Sequence, residues 1–178
     1  MRRLSIAAVL CGLVLSAGCA SQKGPGSSDE AVSLSHPPKP VAFSAPRPGL
    51  SIVGNDYLFA APVTVNRQGS PKNYLWFALG STTDRVLTNT PEPTFDSIVL
   101  VVDGVPMTFD LMRWSEASGA EPYDVGVYER AAYAARVTRS QVRRIAAATQ
   151  LEAYVTNDEH RSPTYVLADG ELGGWERF

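Results

Sequence analysis

Residues 98–111 read IVLVVDGVPMTFDL, and this stretch indicates the fold more clearly than any other in the chain. The run 98–102 is apolar on both faces and rich in β-branched residues, which favour extended backbone. Asp103-Gly104 follows it, and this dipeptide is typical of a two-residue hairpin turn whose residues both take positive φ. Between 107 and 111, apolar residues then alternate with polar ones. The stretch therefore predicts an antiparallel hairpin with at least one buried face.

Other extended segments lie on both sides of this hairpin in the sequence. Residues 56–66 carry apolar side chains at every second position, which predicts a strand. Pro62 predicts that this strand lies at a sheet edge, because proline donates no ladder hydrogen bond. Residues 73–79 predict a strand that is apolar on both faces, and residues 124–137 predict a long or bent strand. Residues 151–156 and 164–168 predict a second hairpin.

One helix is predicted, and its start is well marked. Residues 138–141, Thr-Arg-Ser-Gln, match a capping box, in which the Thr hydroxyl and the Gln side chain satisfy backbone N–H groups at the helix start. We expect the helix to run to about Thr149 and to lie flat on the sheet. Its apolar side comprises Val142, Ile145, Ala146 and Thr149, and the other side carries Arg139, Arg143 and Ala147.

The C-terminal residues Leu172, Trp175 and Phe178 are spaced three apart, which predicts a last helical turn that holds the end of the chain on the core. Many strands with a single helix among them exclude a parallel α/β architecture. The predicted fold is therefore mainly β: an antiparallel β-sandwich or a partly open barrel with one short α-helix packed on it.

The first eighteen residues have the pattern of an export signal. Arg2 and Arg3 supply the positive start, and residues 6–15 form an apolar segment. That segment is shorter than the roughly 20 residues that cross a bilayer as a helix, and no later stretch is as long and as apolar. We therefore expect removal of residues 1–18 and no transmembrane helix.

The end of this signal, Leu15-Ser16-Ala17-Gly18-Cys19, resembles the lipobox of bacterial lipoproteins, in which small residues precede a lipid-modified cysteine. A lipobox usually has Leu three places before the cysteine, whereas this chain has Ser there and Leu one place earlier. The resemblance implies that Cys19 carries the lipid that anchors the protein. The alternative is an ordinary signal peptide, cut after Ala17 or near Ala20.

The residue after the cysteine bears on the destination of the protein. Ala20 stands where lipoproteins retained in the inner membrane typically carry Asp. The resemblance therefore implies a lipid-anchored protein of the outer membrane whose domain faces the periplasm, with exposure at the cell surface as the alternative.

Composition divides the rest of the chain. Residues 19–49 are rich in Ser, Gly and Lys and contain six prolines, which predicts a disordered tether after the lipidated cysteine. The single β-rich domain is expected at 50–178.

Removal of residues 1–18 takes two of the 16 basic residues and none of the 18 acidic ones, which leaves a net charge of −4 and disfavours nucleic-acid binding. Cys11 and Cys19 are the two cysteines, so no disulfide is expected in the domain.

Catalytic and metal-binding signals are sparse. His36 falls in the predicted tether, which leaves His160, beside Asp158 in the polar loop 157–161, as the candidate general base. The alternative for this loop is a solvated hairpin connection. No HExxH, CxxC or glycine-rich phosphate loop is present, so we predict no metal site and no cofactor.

Two sets of residues are candidates for a binding surface. Arg139 and Arg143 share a helix face, and guanidinium groups bind anionic lipid, peptidoglycan carboxylates or an acidic partner; the alternative is a solvated face. Tyr74 and Trp76 point the same way along a strand, opposite to Phe77. They belong either to the core or to an outer face that stacks on a sugar or a partner chain.

Three functions follow from these patterns. The first is a non-enzymatic lipoprotein, held in the membrane by lipid on Cys19, that binds an envelope protein or peptidoglycan. The second is a small periplasmic hydrolase or glycan-processing enzyme that uses loop carboxylates and His160. The third is a β-domain that encloses a small ligand, which requires a cavity inside the barrel.

Overall fold

A computed structural model describes residues 32–46, 55–81, 94–167, 172 and 174–178. The strands are β1 (Val32–Ser35), β2 (Val41–Pro46), β3 (Asn55–Arg67), β4 (Ser70–Ser81), β5 (Ser97–Val102), β6 (Val105–Asp110), β7 (Met112–Arg113), β8 (Tyr128–Arg136), β9 (Leu151–Thr156) and β10 (Tyr165–Leu167). The helices are α1 (Trp114–Ala117) and α2 (Arg139–Ala146), and a 3₁₀ turn (Trp175–Arg177) follows. The predicted export signal and Cys19 lie outside the described residues.

The ten described strands form one sheet, and each pair is antiparallel. Its order is β6-β5-β9-β10-β2-β3-β4-β8-β7, with β1 also paired to β3. β6 and β7 are consecutive parts of one stretch of chain: β6 pairs with β5, and β7 pairs with β8 at the other side of the sheet. The sheet therefore curls into a nearly closed barrel. The predicted mainly β, antiparallel fold is confirmed, in its barrel form.

The local signals of the sequence appear where they were expected. β5 and β6 form the predicted hairpin, and its turn residues Asp103 and Gly104 have φ of 49° and 80°. The capping box of α2 is present: the Gln141 N–H donates to Thr138 Oγ1, and the Thr138 N–H donates to Gln141 Oε1. The helix ends at Ala146 rather than near Thr149, and β9 and β10 form the second hairpin.

Apolar side chains fill the inside of the barrel. Every second residue of the main strands points inward, and the largest of these side chains, such as Phe43, Phe77 and Leu100, are almost fully inaccessible to solvent. Ile145 of α2 packs onto this core from one end. Leu172 and Trp175 also belong to it, so the predicted C-terminal turn is confirmed. The described side chains of the interior form a packed core.

A second core covers the outer face of β3, β4 and β8. It combines small and aromatic residues of these strands with Trp114 and Ala117 of α1. The Trp114 indole N–H donates to the carbonyl oxygen of Ala120 at 2.8 Å, which holds the segment after α1 against the sheet. This part of the sheet is therefore buried on both faces. None of the helices in the described part of the chain is long and apolar enough to cross a membrane.

The predicted domain boundary at residue 50 is wrong, because residues 32–46 belong to the barrel. β1 pairs with β3, and β2 fills the place between β3 and β10. Val41, Phe43 and Ala45 alternate into the core. Three of the six prolines that suggested a tether lie in the connection between the two strands. The high proline content therefore concealed the alternation of apolar residues along β2.

Pro62 lies in an interior strand, which contradicts the prediction of an edge. β3 pairs with β4 along its length. On its other side β3 pairs with β2 through Asn55–Ala60 and with β1 through Thr64–Arg67. Pro62 falls in the gap between these two partners, so its missing N–H group leaves no ladder bond broken.

The place of β2 in the core yields a stability prediction. We expect Phe43→Ala to lower the free energy of unfolding by about 3–5 kcal/mol, because it leaves a cavity in a packed interior. Val166→Ala is the control: the Val166 side chain is 52% exposed on the neighbouring strand, and its loss should cost no more than about 1 kcal/mol. Urea unfolding followed by tryptophan fluorescence measures both. Equal, small effects would mean that residues 41–46 lie outside the folded core.

Candidate functional site

Basic side chains gather at one end of the barrel, where the β3–β4 turn, the end of β8 and α2 meet. The backbone N–H of Val137 donates to the carbonyl oxygen of Asn73 at 3.2 Å, which joins the start of α2 to the hairpin. We call this region the basic end and define it by Arg67, Lys72, Arg136, Arg139, Arg143 and Arg144. Arg67 is partly buried, and the other five residues are exposed.

The helix α2 presents part of this charge because its other side is buried. Val142 and Ile145 are nearly inaccessible to solvent, whereas Arg139 and Arg143 are exposed. The structure thus places the two predicted arginines on an exposed helix face.

Asp103 fixes the chain just after α2. Its Oδ1 accepts hydrogen bonds from the Thr149 N–H, the Thr149 hydroxyl and the Gln150 N–H at 2.8–2.9 Å. These bonds, above all the one from the Gln150 backbone, lower the pKa of Asp103, and the charge of Arg144 acts in the same direction. The turn of the β5–β6 hairpin therefore holds the segment that follows α2.

A cavity of about 230 Å³ lies beside the basic end, on the outer face of the β3–β4 hairpin. The buried side chains of Val65, Tyr74 and Ala117 belong to its lining. The polar and charged part of the lining comprises Arg67, Ser70, Lys72, Glu116 and Arg136, and Met112 completes it. Three cations and one carboxylate give the cavity a positive balance. It is suited to an anionic group attached to a small apolar portion.

Two of the charged residues in this lining are committed to neighbouring backbone. Arg67 Nη2 donates to the carbonyl oxygen of Ala117 at 3.0 Å, which fixes the guanidinium against α1. Glu116 Oε1 accepts from the Arg113 N–H at 3.2 Å and so caps that short helix. The side chains of Lys72 and Arg136 form no hydrogen bond or ion pair with another residue of the described ranges. They are the cations best placed to bind a ligand.

Tyr74 and Trp76 point the same way, as expected, but the outward stacking surface considered for them is wrong. Their exposed fractions are 5% and 0%, because α1 and the segment after it cover this face of the sheet. Tyr74 instead contributes to the wall of the cavity. The Trp76 indole N–H donates to Glu121 Oε2 at 3.3 Å, and the Tyr123 ring lies 5.1 Å away between ring centroids. Burial raises the pKa of Glu121.

The loop 157–161 lies at the end of β9 away from α2. Asn157 Oδ1 accepts from the N–H groups of Glu159 and His160 at 2.9 and 2.6 Å, and the Arg161 guanidinium stacks 3.9 Å from the centroid of the Tyr154 ring. His160 Nδ1 is 3.9 Å from Glu159 Oε2, and both side chains are largely exposed. Asp158 is also exposed. These contacts shape a surface loop.

In the part of the chain that the structure describes, no three His, Cys, Asp or Glu residues are close enough together to hold a metal ion. Comparisons with protein-family models, with curated proteins and with solved structures found no match to this chain.

Sequence reasoning missed the cavity, although it identified the arginines on α2. Arg67 and Lys72 flank a tight turn at Gln68-Gly69, where both residues have positive φ. With a two-residue turn, strand alternation places Arg67 and Lys72 on the same face as Val65. The sequence therefore contained a signal for the shared face of Arg67 and Lys72. It contained none for the place of α1 and Arg136 in the cavity, because that place depends on how the sheet curls.

The bonds of Asp103 predict a pH-dependent stability. Because the folded state lowers this pKa, its stabilisation is complete above the unfolded value of about 3.9 and is lost as pH falls through the folded value. We expect Asp103→Asn to be less stable than the parent chain at pH 7, with the difference shrinking between about pH 4 and pH 2. Urea unfolding across this range measures the effect.

Asp110→Asn is the matched control, since Asp110 is an exposed carboxylate at the other end of the same hairpin. Its stability should follow that of the parent chain more closely at each pH. A constant difference between Asp103→Asn and the parent chain, from neutral to acid pH, would show that the carboxylate charge does not hold the segment after α2.

Proposed function

We propose that this chain is a bacterial lipoprotein, anchored through lipid on Cys19 in the outer membrane, whose barrel faces the periplasm. In this proposal the barrel has a non-enzymatic role and binds an anionic component of the cell envelope. The gathering of cations around a cavity at one end of the barrel is the observation that carries the binding role. The lipobox-like sequence before Cys19 supports the anchor.

The packed interior supports binding at the surface of the barrel. Phe43, Phe77 and Leu100 occupy the volume that an enclosed ligand would need. The cavity beside the basic end offers a concave site outside this core, lined by three cations and by apolar side chains. Guanidinium and ammonium groups are suited to phosphate and carboxylate oxygens.

The geometry favours binding over the hydrolase alternative. A general base must lie within hydrogen-bond reach of its substrate, together with a second polar group. His160 and Asp158 lie on an exposed loop, at a distance from the cavity lining. The Asn157 side chain beside them is used to hold the loop backbone.

Lipid labelling tests the anchor. Cells that express the protein are grown with labelled palmitate and separated into membrane and soluble fractions. We expect the parent chain to carry label and to pellet with membranes, and Cys19→Ala to lose the label and to shift to the soluble fraction. Cys11→Ser is the matched control: Cys11 lies in the apolar part of the export signal, so its loss should leave labelling unchanged.

The same cells test the binding role when their envelopes are treated with a reversible crosslinker and the captured material is identified. We expect Arg139→Gln/Arg143→Gln to reduce capture of an anionic envelope component without reducing lipid labelling. An unlabelled parent chain would contradict the anchor. Capture that is the same with and without these arginines would contradict the role of the basic end.

A further inference from the structure

The chain enters the barrel at its basic end. Val32, the first described residue, pairs with Arg67, the last residue of β3 before the tight turn. Twelve residues separate Cys19 from Val32. Even when fully extended, this spacer reaches at most about 45 Å. A lipid on Cys19 therefore keeps the basic end within a short distance of the membrane surface.

Among the residues that the structure describes, the two ends of the barrel differ in charge. The chain without residues 1–18 has a net charge of −4. The end opposite to α2 carries the exposed carboxylates Asp96, Asp158 and Glu159. The six cations of the basic end outnumber the carboxylates of Asp103 and Glu116 there, whereas at the opposite end the carboxylates outnumber the one described cation, Arg161. An anionic membrane therefore attracts the basic end more strongly, and the field orients the barrel on its anchor.

The cavity matches one anionic lipid headgroup in chemistry. A phosphodiester offers only acceptor oxygens, and Lys72 and Arg136 offer only donors. The apolar part of the lining, Val65, Met112 and Ala117, accommodates the carbon atoms of a headgroup. Arg67, held by its bond to the Ala117 carbonyl oxygen, supplies a fixed positive charge beside them.

We propose that the basic end docks on anionic phospholipid of the membrane that carries the anchor, with the phosphate of one headgroup in the cavity between Lys72 and Arg136. The proposal rests on the proposed function for the position of the anchor, but the docking surface itself does not require the lipid. The acyl chains on Cys19 and the basic end then both bind the membrane, and the basic end sets the orientation of the barrel.

Vesicle sedimentation tests the docking without the anchor. Residues 20–178 contain every residue of the barrel and lack Cys19. This chain is mixed with vesicles of phosphatidylcholine, with or without phosphatidylglycerol. We expect binding that requires phosphatidylglycerol and weakens with added salt. Lys72→Gln/Arg136→Gln should weaken it roughly 10- to 30-fold, because each basic residue near an anionic surface contributes about fivefold.

Arg161→Glu is the matched control, since it changes the net charge by the same two units at the opposite end. Its binding should stay close to that of the parent chain. A second arm replaces vesicles with inorganic phosphate and follows binding by NMR. Phosphate binding that Lys72→Gln/Arg136→Gln abolishes, together with vesicle binding, supports the proposal.

Three outcomes would overturn the proposal. Equal weakening by Arg161→Glu would show unspecific attraction to the charged surface. Phosphate binding without vesicle binding would assign the cavity to a soluble anion. If the chain binds neither phosphate nor vesicles, the cavity is not an anion-binding site. Because this chain lacks Cys19, none of these outcomes depends on whether the cysteine is lipidated, which palmitate labelling decides separately.

Discussion

Closure of the sheet by the stretch from β6 to β7 is the constraint on which the rest of the structure depends. This stretch pairs with β5 at its start and with β8 at its end, and it thereby turns a sheet into a barrel with an inside. Residues that alternate along each strand then converge on one core. The same closure leads the chain directly into α1, which covers the outer face of β3 and β4. Both cores therefore depend on one strand that changes partner.

The filled interior decides where binding can occur. Because aromatic and aliphatic side chains fill the described interior, we look for binding on the outer surface of the barrel and at its two ends. The ends differ in charge, since α2 and the β3–β4 hairpin bring cations together, whereas the loop after β9 carries carboxylates. A rigid core thus holds two distinct ends in a fixed relation. Because the chain enters the barrel at Val32, beside Arg67 of the basic end, an anchor before Val32 would hold that end nearer to the membrane.

Local signals in the sequence predicted local structure well. Asp103-Gly104 predicted its hairpin, and the capping box at 138–141 predicted the start of α2, because each is decided by contacts within a few residues. The position of Pro62 was misread because the gap between β1 and β2 is set by distant pairing. Phe43 was assigned to a tether because proline content outweighed a short alternation. Tyr74 and Trp76 required knowledge of α1, which covers them only after the barrel has closed.

Hydrogen–deuterium exchange of the lipidated protein on vesicles tests most directly which end of the barrel faces the membrane. Exchange is compared between vesicles with and without phosphatidylglycerol. We expect slower exchange, when phosphatidylglycerol is present, in the β3–β4 turn and the first turn of α2, with no change in the loop 157–161. Slower exchange in that loop, or the same exchange at both ends, would contradict this expectation.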